Sequence, residues 1–265
     1  MTILTATSER YDTMRLPTVT PRVSVVIPTH NEAPNLPHVF DALPHVGEVI
    51  VVDGHSSDGT VDAARALRPD AKIVMQTRRG KGNALACGFA AVEGDIIVMI
   101  DADGSTDPAE IPRFVAALLD GADFAKGSRF TAGGGSDDIT AVRRAGNKAL
   151  NSLVNRLYGT KSTDLCYGYN AFWSAVLPVL ELSPGAEGNE MLWGDGFEIE
   201  TIIHTRVARA GLRIAEVPSH EANRLYGTSN LHAVRDGFRV LKASRNERKR
   251  VAVAARGSAP SLKFG

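Results

Sequence analysis

The chain has 265 residues, 43% of them apolar and 23% charged, and its 30 basic and 30 acidic residues give a formal net charge of zero. That length suits one large α/β domain or two small ones with a substantial core. The even charge balance leaves no global field to attract nucleic acid. Cys87 and Cys166 lie far apart with no Cys-x-x-Cys, a pattern that excludes a zinc site or a disulfide framework and points to a reducing cytosol. No run approaches the ~18 consecutive apolar residues of a membrane span, and the polar segment Met1 to Thr20 reads as a loose tail, not a secretory signal.

Taken in order, Val23 to Ile27 reads as a buried strand, broken by Pro28-Thr29-His30-Asn31-Glu32, with a helix from about Asn35 to Leu43. Val49 to Val52 is a second strand ending at Asp53. Turn formers follow, and Asp58 or Thr60 can cap a helix over Val61 to Leu67. Ala71 to Gln76 is a third strand, followed by Arg78-Arg79-Gly80-Lys81-Gly82-Asn83 and an Ala-rich helix to Ala91. Ile96 to Ile100 is a fourth strand, short, continuous and rich in β-branched residues. Asp107-Pro108 looks like a helix cap and first turn, with a helix from Ala109 to Leu119. This alternation implies a mostly parallel sheet flanked by helices, with right-handed crossovers.

In such a sheet the loops after the first four strands open on one edge, the edge where ligands bind. They carry Asn31 and Glu32, then Asp53, then Arg79 and Lys81, then Asp101 and Asp103. Asp101-Ala102-Asp103 offers two hard oxygen ligands that suit Mg²⁺ or Mn²⁺ completed by substrate phosphates; the same pair also reads as an acidic surface loop. Asp53 is placed to bond a base or sugar, or to cap a helix. Arg79 and Lys81 sit on a Gly-rich loop that suits phosphates or simply solvent. The set is the inventory of a nucleotide or sugar-nucleotide site. Gly80-x-Gly82 is not a dinucleotide fingerprint, since the third glycine arrives only at Gly88, and no Walker-type loop is present.

In the second half, Asp123 to Gly127 leads into Ser128-Arg129-Phe130. The stretch Thr131 to Asp138, with three glycines in a row, reads as a mobile loop. A helix over Ala141 to Leu157 opens with Arg143, Arg144 and Asn147. Arg129 with Arg143 or Arg144 could bind an acceptor phosphate, since arginine suits phosphate oxygens. Gly194 to Ala210 reads as a helix entered through a loop, and Leu212 to Val217 as a strand. From Asn230 to Arg250 the pattern is that of a basic amphipathic helix, which can lie on an anionic membrane surface.

Several of these segments together resemble one family. V-S-V-V-I-P-T-H-N-E, E-V-I-V-V-D-G-H-S-S-D-G-T, R-G-K-G-N-A and D-I-I-V-M-I-D-A-D-G-S-T-D-P are similar to family-2 glycosyltransferases of the GT-A fold. G-S-R-F, T-D-L-C-Y-G-Y-N-A-F, E-V-P-S-H and R-L-Y-G-T-S-N-L resemble the dolichol-phosphate mannose synthase and polyprenyl-phosphate sugar transferase branch. The resemblance implies a single Rossmann-like α/β domain over residues 21–242. Its donor half runs to about 127 and its acceptor half lies beyond, with a tail at 1–20 and a basic helix end at 243–265. It implies inverting transfer of a sugar from a nucleotide-sugar, with Mg²⁺ or Mn²⁺, to a polyprenyl phosphate. Transfer to a soluble hydroxyl acceptor, or nucleotide binding without turnover, are the alternatives.

By that resemblance Pro28, Thr29, Asn31, Glu32 and Asp53 surround the nucleoside, Lys81 sits by the donor, Asp101, Ala102 and Asp103 meet the diphosphate, and Asp101 and Asp103 hold the metal. Arg224, Tyr226, Gly227 and Ser229 form a closing loop over the donor diphosphate. Ser128, Arg129, Arg143, Arg144 and Asn147 belong to the acceptor side. Asp103 and Arg129 are the expected catalytic groups. Asp164 is the first candidate for a general base if the acceptor is a hydroxyl, ahead of Asp195 and Glu198, and His220 is a further candidate for the metal. A cytoplasmic protein, peripheral at the inner membrane face, is the matching location.

Overall fold

The structure, a computed structural model, describes residues 20–188 and 190–227, together with 239, 242, 243, 246 and 247. The polar tail up to residue 19 and most of the basic stretch from Asn230 to Arg250 lie outside the described residues, as does Ser229.

A seven-stranded sheet has the order β3-β2-β1-β4-β7-β5-β8. Its strands are β1 (Val23–Thr29), β2 (Glu48–Asp53), β3 (Lys72–Met75), β4 (Ile96–Met99), β5 (Phe124–Ser128), β7 (Asn170–Trp173) and β8 (Ile214–Pro218). All pairings are parallel except those of β7, which runs antiparallel between β4 and β5. The sequence reading missed β7, because a four-residue strand behind the Tyr167-Gly168-Tyr169 loop has no period to show. Its direction matters for the site. Asn170, its first residue, pairs with Met99 at the carboxyl end of β4, so the loop from Thr163 to Tyr169 enters the sheet at the ligand-binding edge.

The continuous apolar runs are strands buried on both faces. In β4, Ile96 and Val98 face one core with Ile100 just beyond, while Ile97 and Met99 face the other. The first core is covered by α1 (Leu36–Asp41), α2 (Thr60–Leu67) and α4 (Ile111–Leu119), through Leu36, Phe40, Ala64, Phe114 and Leu118. The second is covered by α3 (Lys81–Ala90), α6 (Leu177–Leu180) and α7 (Ile199–Arg209), through Leu85, Phe89, Leu180, Ile203 and Val207. At Gly88 an added Cβ would stand 2.5 Å from Val26 and 2.8 Å from Val52, so the Ala- and Gly-rich face of α3 lets the helix lie directly on the sheet. The helix α5 (Ala141–Tyr158) forms a small satellite core with Leu165. Among the described residues no helix is long and apolar enough to cross a membrane.

Two local expectations change. The helix expected from Ala109 opens as a 3₁₀ turn over Pro108–Glu110 before α4, with the Asp107 carboxylate accepting from the Ala109 amide at 2.9 Å. The stretch Thr131 to Asp138 is not a free loop. Within it β6 (Gly135–Ser136) pairs with β9 (His220–Glu221), and the Asp137 amide donates to the Glu221 carbonyl at 2.8 Å. Glycine is required there by proximity: at Gly135 an added Cβ would lie 2.6 Å from the His220 ring.

Candidate active site

The first four strand ends meet on one edge, as the parallel alternation requires. Thr29 closes β1 and is buried, donating to Asp53 at 3.2 Å. Asp53, wholly buried, accepts from the Ser56 amide at 2.8 Å and the Ser56 hydroxyl at 2.6 Å. Its carboxylate therefore shapes its own loop through an Asx-type turn. Pro28 is partly buried beside it. Asn31 has φ +58 and ties the first two loops together, its amide donating to Ser56 at 2.8 Å and its side-chain oxygen accepting from Ser57 at 2.9 Å. Gly54 follows Asp53 directly. A Cβ there would press on the Thr29 carbonyl at 3.1 Å and the His30 ring at 3.2 Å.

The acid pair lies just past β4. Ala102 is buried in the core and pins the loop, and Asp101 and Asp103 flank it half-buried. Lys81, the first residue of α3, reaches Asp101 at 2.5 Å and Glu200 on α7 at 2.8 Å. Asp103 accepts from Ser105 through its amide at 3.0 Å and its hydroxyl at 2.7 Å, and from Arg224 at 3.2 Å. Arg224 also pairs with Glu32 at 2.5 Å, so the segment from Arg224 to Tyr226 is strapped across both loops. Tyr226 exchanges hydrogen bonds with Asn35, at 3.0 and 3.2 Å, and the Leu225 amide donates to the Asp103 carbonyl. Gly168 completes the wall: a Cβ there would meet Lys81 Nζ at 2.8 Å and Asp101 at 3.2 Å.

Two basic residues thus link four acids. Burial alone would lower Lys81, but Asp101 and Glu200 outweigh it and hold the ammonium firmly charged. Burial raises Glu200, and Asp101 competing for the same ammonium adds to the rise against the pull of Lys81. Burial likewise raises Glu32, in part offset by Arg224. Glu200 escaped the sequence reading, which weighed Asp195 and Glu198 from the same W-G-D-G-F-E-I-E run. Only the packing of α7 against α3 selects it.

The donor set can be tested against a metal ion. Among the described residues no three His, Cys, Asp or Glu side chains gather around a common point. Asp101 and Asp103 offer two carboxylates at a strand end, each paired in this structure with a cation, Lys81 and Arg224. Two carboxylates with the remaining positions left to water and phosphate are what Mg²⁺ or Mn²⁺ takes, and too few for a self-contained calcium cage. His220 is directed elsewhere, bonded to Asp137 at 3.1 Å.

The Gly-rich loop before α3 has a different reason for its glycines. The Gly82 amide donates to the Asp195 carbonyl at 2.8 Å, and a Cβ at Gly82 would collide with the Gly194 carbonyl and one at Gly80 with that of Asp195. Arg78, not Arg79, is the structural arginine of this loop. It grips Asp195 in a fork at 2.8 and 2.9 Å, while Arg79 is exposed.

On the acceptor side Arg129 is buried, forking onto Asp164 at 2.7 and 2.9 Å and reaching Glu221 at 2.9 Å. Its guanidinium lies 4.9 Å from the Tyr167 ring centre. Asp164, wholly buried, also accepts from Asn147 at 2.9 Å, and the Asn147 side-chain oxygen has no hydrogen-bond partner among the described residues. Ser128 is buried against Thr163 at 2.6 Å. Arg143 pairs with Asp138 at 2.6 Å, and exposed Arg144 lies over the Phe130 ring, whose other neighbour is Arg129. The fold therefore joins Arg129, Asp164 and Asn147 in one network and leaves the two helix arginines outside it.

Behind this network, Lys126 and His204 are buried with no acid bonded to them among the described residues. Lys126 donates to the Tyr167 carbonyl at 3.1 Å and is lowered by burial. His204 meets the Ser162 hydroxyl at 3.1 Å. Burial, with the charge of Lys126 adding, pushes its pKa down from 6.5 to about 3. The unfolded chain binds a proton at this position that the folded chain refuses. The contribution of this group is therefore fully present above about pH 6.5 and is lost as pH falls towards 3, by about 1.4 kcal/mol per pH unit. Denaturant unfolding at pH 7 and pH 4.5 should show the acid loss reduced by roughly 2.5 kcal/mol in His204→Gln. An equal loss in both proteins would remove His204 as the cause.

A family model described as glycosyl transferase family 2 matches residues 24–178. The undecaprenyl-phosphate mannosyltransferase of Micrococcus luteus is 33% identical over 235 residues, 84% of this chain and 93% of that protein. The polyprenol monophosphomannose synthase of Mycolicibacterium smegmatis is 33% identical over 224 residues, 80% of this chain and 82% of that protein. In three dimensions the chain is similar to glucosyl-3-phosphoglycerate synthase from Mycobacterium tuberculosis, solved with Mn²⁺, UDP-glucose and phosphoglyceric acid. The TM-score is 0.64 at 23% identity, covering 95% of this chain and 89% of that one, a likeness of fold. With the matched segment spanning the donor loops and β7, and relatives aligned over most of its length, the chain is a GT-A-fold enzyme belonging to glycosyl transferase family 2.

Proposed function

We propose that the enzyme is an inverting glycosyltransferase that moves a sugar from a nucleotide-sugar to a polyprenyl phosphate, with Mg²⁺ or Mn²⁺ at Asp101 and Asp103. The observation that carries the acceptor class is the commitment of Asp164, the first candidate base. Asp164 is locked to Arg129 and Asn147 and Asp195 is forked by Arg78, while Glu198 keeps one oxygen on the Gly194 amide and the other buried without a hydrogen-bond partner among the described residues. A hydroxyl acceptor needs a carboxylate free to take its proton. A phosphate monoester brings its own negative oxygen, its second pKa being about 6. The relatives named above carry undecaprenyl phosphate and polyprenol phosphate chemistry in their names, which supports the same class.

In this reading Thr29, Asn31, Glu32 and Asp53 frame the nucleoside pocket, and Lys81 and Arg224 stand beside the diphosphate. A divalent ion, when bound, neutralises the charge growing on the departing nucleoside diphosphate. Arg144, exposed over Phe130, and Arg143, paired with Asp138, would meet the acceptor phosphate from the start of α5. Arg129 holds Asp164 and Glu221 and shapes the pocket from behind.

The test is nucleoside diphosphate release from a panel of nucleotide-sugars with Mg²⁺ or Mn²⁺, with and without a short-chain polyprenyl phosphate. Release that requires the lipid phosphate is expected. Release that a soluble hydroxyl acceptor supports equally well would overturn the acceptor assignment and return Asp164 to the role of base. Nucleotide binding without release from any donor would reduce the chain to a binding module.

A further inference from the structure

Two short runs of consecutive large apolar side chains are exposed among the described residues: Met191, Leu192 and Trp193, at 41%, 54% and 40%, and Leu225 with Tyr226, at 47% and 49%. The second borders the acid pair, and the first adjoins the loop that leads into Lys81. The Leu225 amide bonds the Asp103 carbonyl. The segment after Trp193 is bonded to Gly82, next to the Lys81 that reaches Asp101.

The first run is presented on a firm base. The Leu192 amide donates to the Asp195 carboxylate at 2.8 Å, the Asp195 amide returns to the Leu192 carbonyl at 3.2 Å, and the Gly194 amide donates to Glu198 at 3.2 Å. Arg78 grips Asp195 from below. These bonds hold the backbone at Leu192, Gly194 and Asp195 while the three apolar side chains stay exposed, so the exposure is built in by the loop's own hydrogen bonds. A cation adjoins it: Arg239 approaches the Met191 sulfur at 3.3 Å. Arg239 belongs to a stretch, Arg235 to Arg250, with seven basic residues against two acidic.

We propose that Met191, Leu192 and Trp193 form a tip that enters the interfacial layer of an anionic bilayer and sets the mouth of the active site on the membrane surface. Tryptophan beside aliphatic side chains suits that layer, where one end of the ring is apolar and the other wet. Apolar insertion beside a cation, here Arg239, is the combination that binds anionic lipid surfaces. The proposal rests on the reading that the acceptor is a lipid phosphate, because that substrate is reached at such a surface.

The chain has two tryptophans, and Trp173 is bonded to the Ala122 carbonyl inside the fold. Trp193 therefore reports the tip. The probe is phosphatidylglycerol–phosphatidylcholine vesicles with brominated acyl chains. The expected result is quenching of the intact protein's fluorescence that is lost in Trp193→Phe, and weakening of vesicle binding by at least about tenfold in Leu192→Asp. Leu192→Asp should transfer sugar to a short-chain polyprenyl phosphate in solution at the unaltered rate, and should lose transfer to the same phosphate embedded in vesicles. Absence of quenching, or equal vesicle binding by Leu192→Asp, would overturn the tip. So would sedimentation showing that the intact chain pairs through this run and that Leu192→Asp separates the copies without affecting vesicle binding. If no polyprenyl phosphate is glycosylated in solution by the intact enzyme, the acceptor reading fails instead, and the quenching result is judged apart from it.

Discussion

Asp103→Ala is expected to reduce metal-dependent sugar transfer by about a thousandfold while leaving the protein folded. Asp103 is one of only two carboxylates at the end of β4, and the charge developing on a departing diphosphate is worth several kcal/mol to neutralise. About 4 kcal/mol corresponds to that loss of rate. The fold does not depend on the group. Asp103 is half-buried, its partners are the adjacent Ser105 and the side chain of Arg224, and Arg224 keeps Glu32. Thermal unfolding should therefore move little while Mn²⁺ binding weakens in the same variant. Wild-type activity in Asp103→Ala would end the metal assignment; a large fall in Tm would show that the residue acts through the fold.

Arg129→Ala is expected to do the reverse, acting mainly on stability. Its guanidinium is buried and serves Asp164 and Glu221 together. Removing it leaves two buried carboxylates without their shared cation, with only Asn147 and Ser136 side chains still donating to them, and breaking a buried pair from one side costs about 3–5 kcal/mol. For a domain of this size the fall in Tm should be roughly 10 °C. Arg129→Lys should recover only part, since one ammonium cannot reproduce the planar fork. Asp164→Asn separates structure from chemistry. It keeps the shape and leaves Arg129 paired with Glu221, so transfer to a phosphate acceptor should survive in the folded fraction. Turnover slowed by about a hundredfold or more with Tm preserved, the scale of a removed general base, would give Asp164 back a chemical role.

The donor side was legible because its signals are local. A strand buried on both faces must be a continuous apolar run, and the acids at its end follow in the next residue, so Ile96 to Asp103 declares strand, edge and candidate ligands together. Parallel alternation then brings Thr29, Asp53, Lys81 and Asp101 to one edge, whatever the details of packing. The acceptor side was not legible in this way. Arg129 and Asp164 are separated by 35 positions, and nothing in either motif says that they neutralise each other. Their pairing follows from β7, whose antiparallel course brings the Thr163 to Tyr169 loop back over β5.

The same division holds across the chain. By itself the sequence determined the α/β class, the strand ends that carry polar groups, the cap at Asp107 and the family, because periodicity, turn chemistry and motif order are properties of neighbouring residues. The tertiary structure alone decided which charges meet. It set Glu200 on Lys81, Arg78 on Asp195, Arg224 between Glu32 and Asp103, and the Gly80–Gly82 loop against the backbone of Gly194 and Asp195. Those contacts join residues far apart in the chain. Their strength depends on distance and burial, and neither quantity exists until the strands are ordered and the helices have docked.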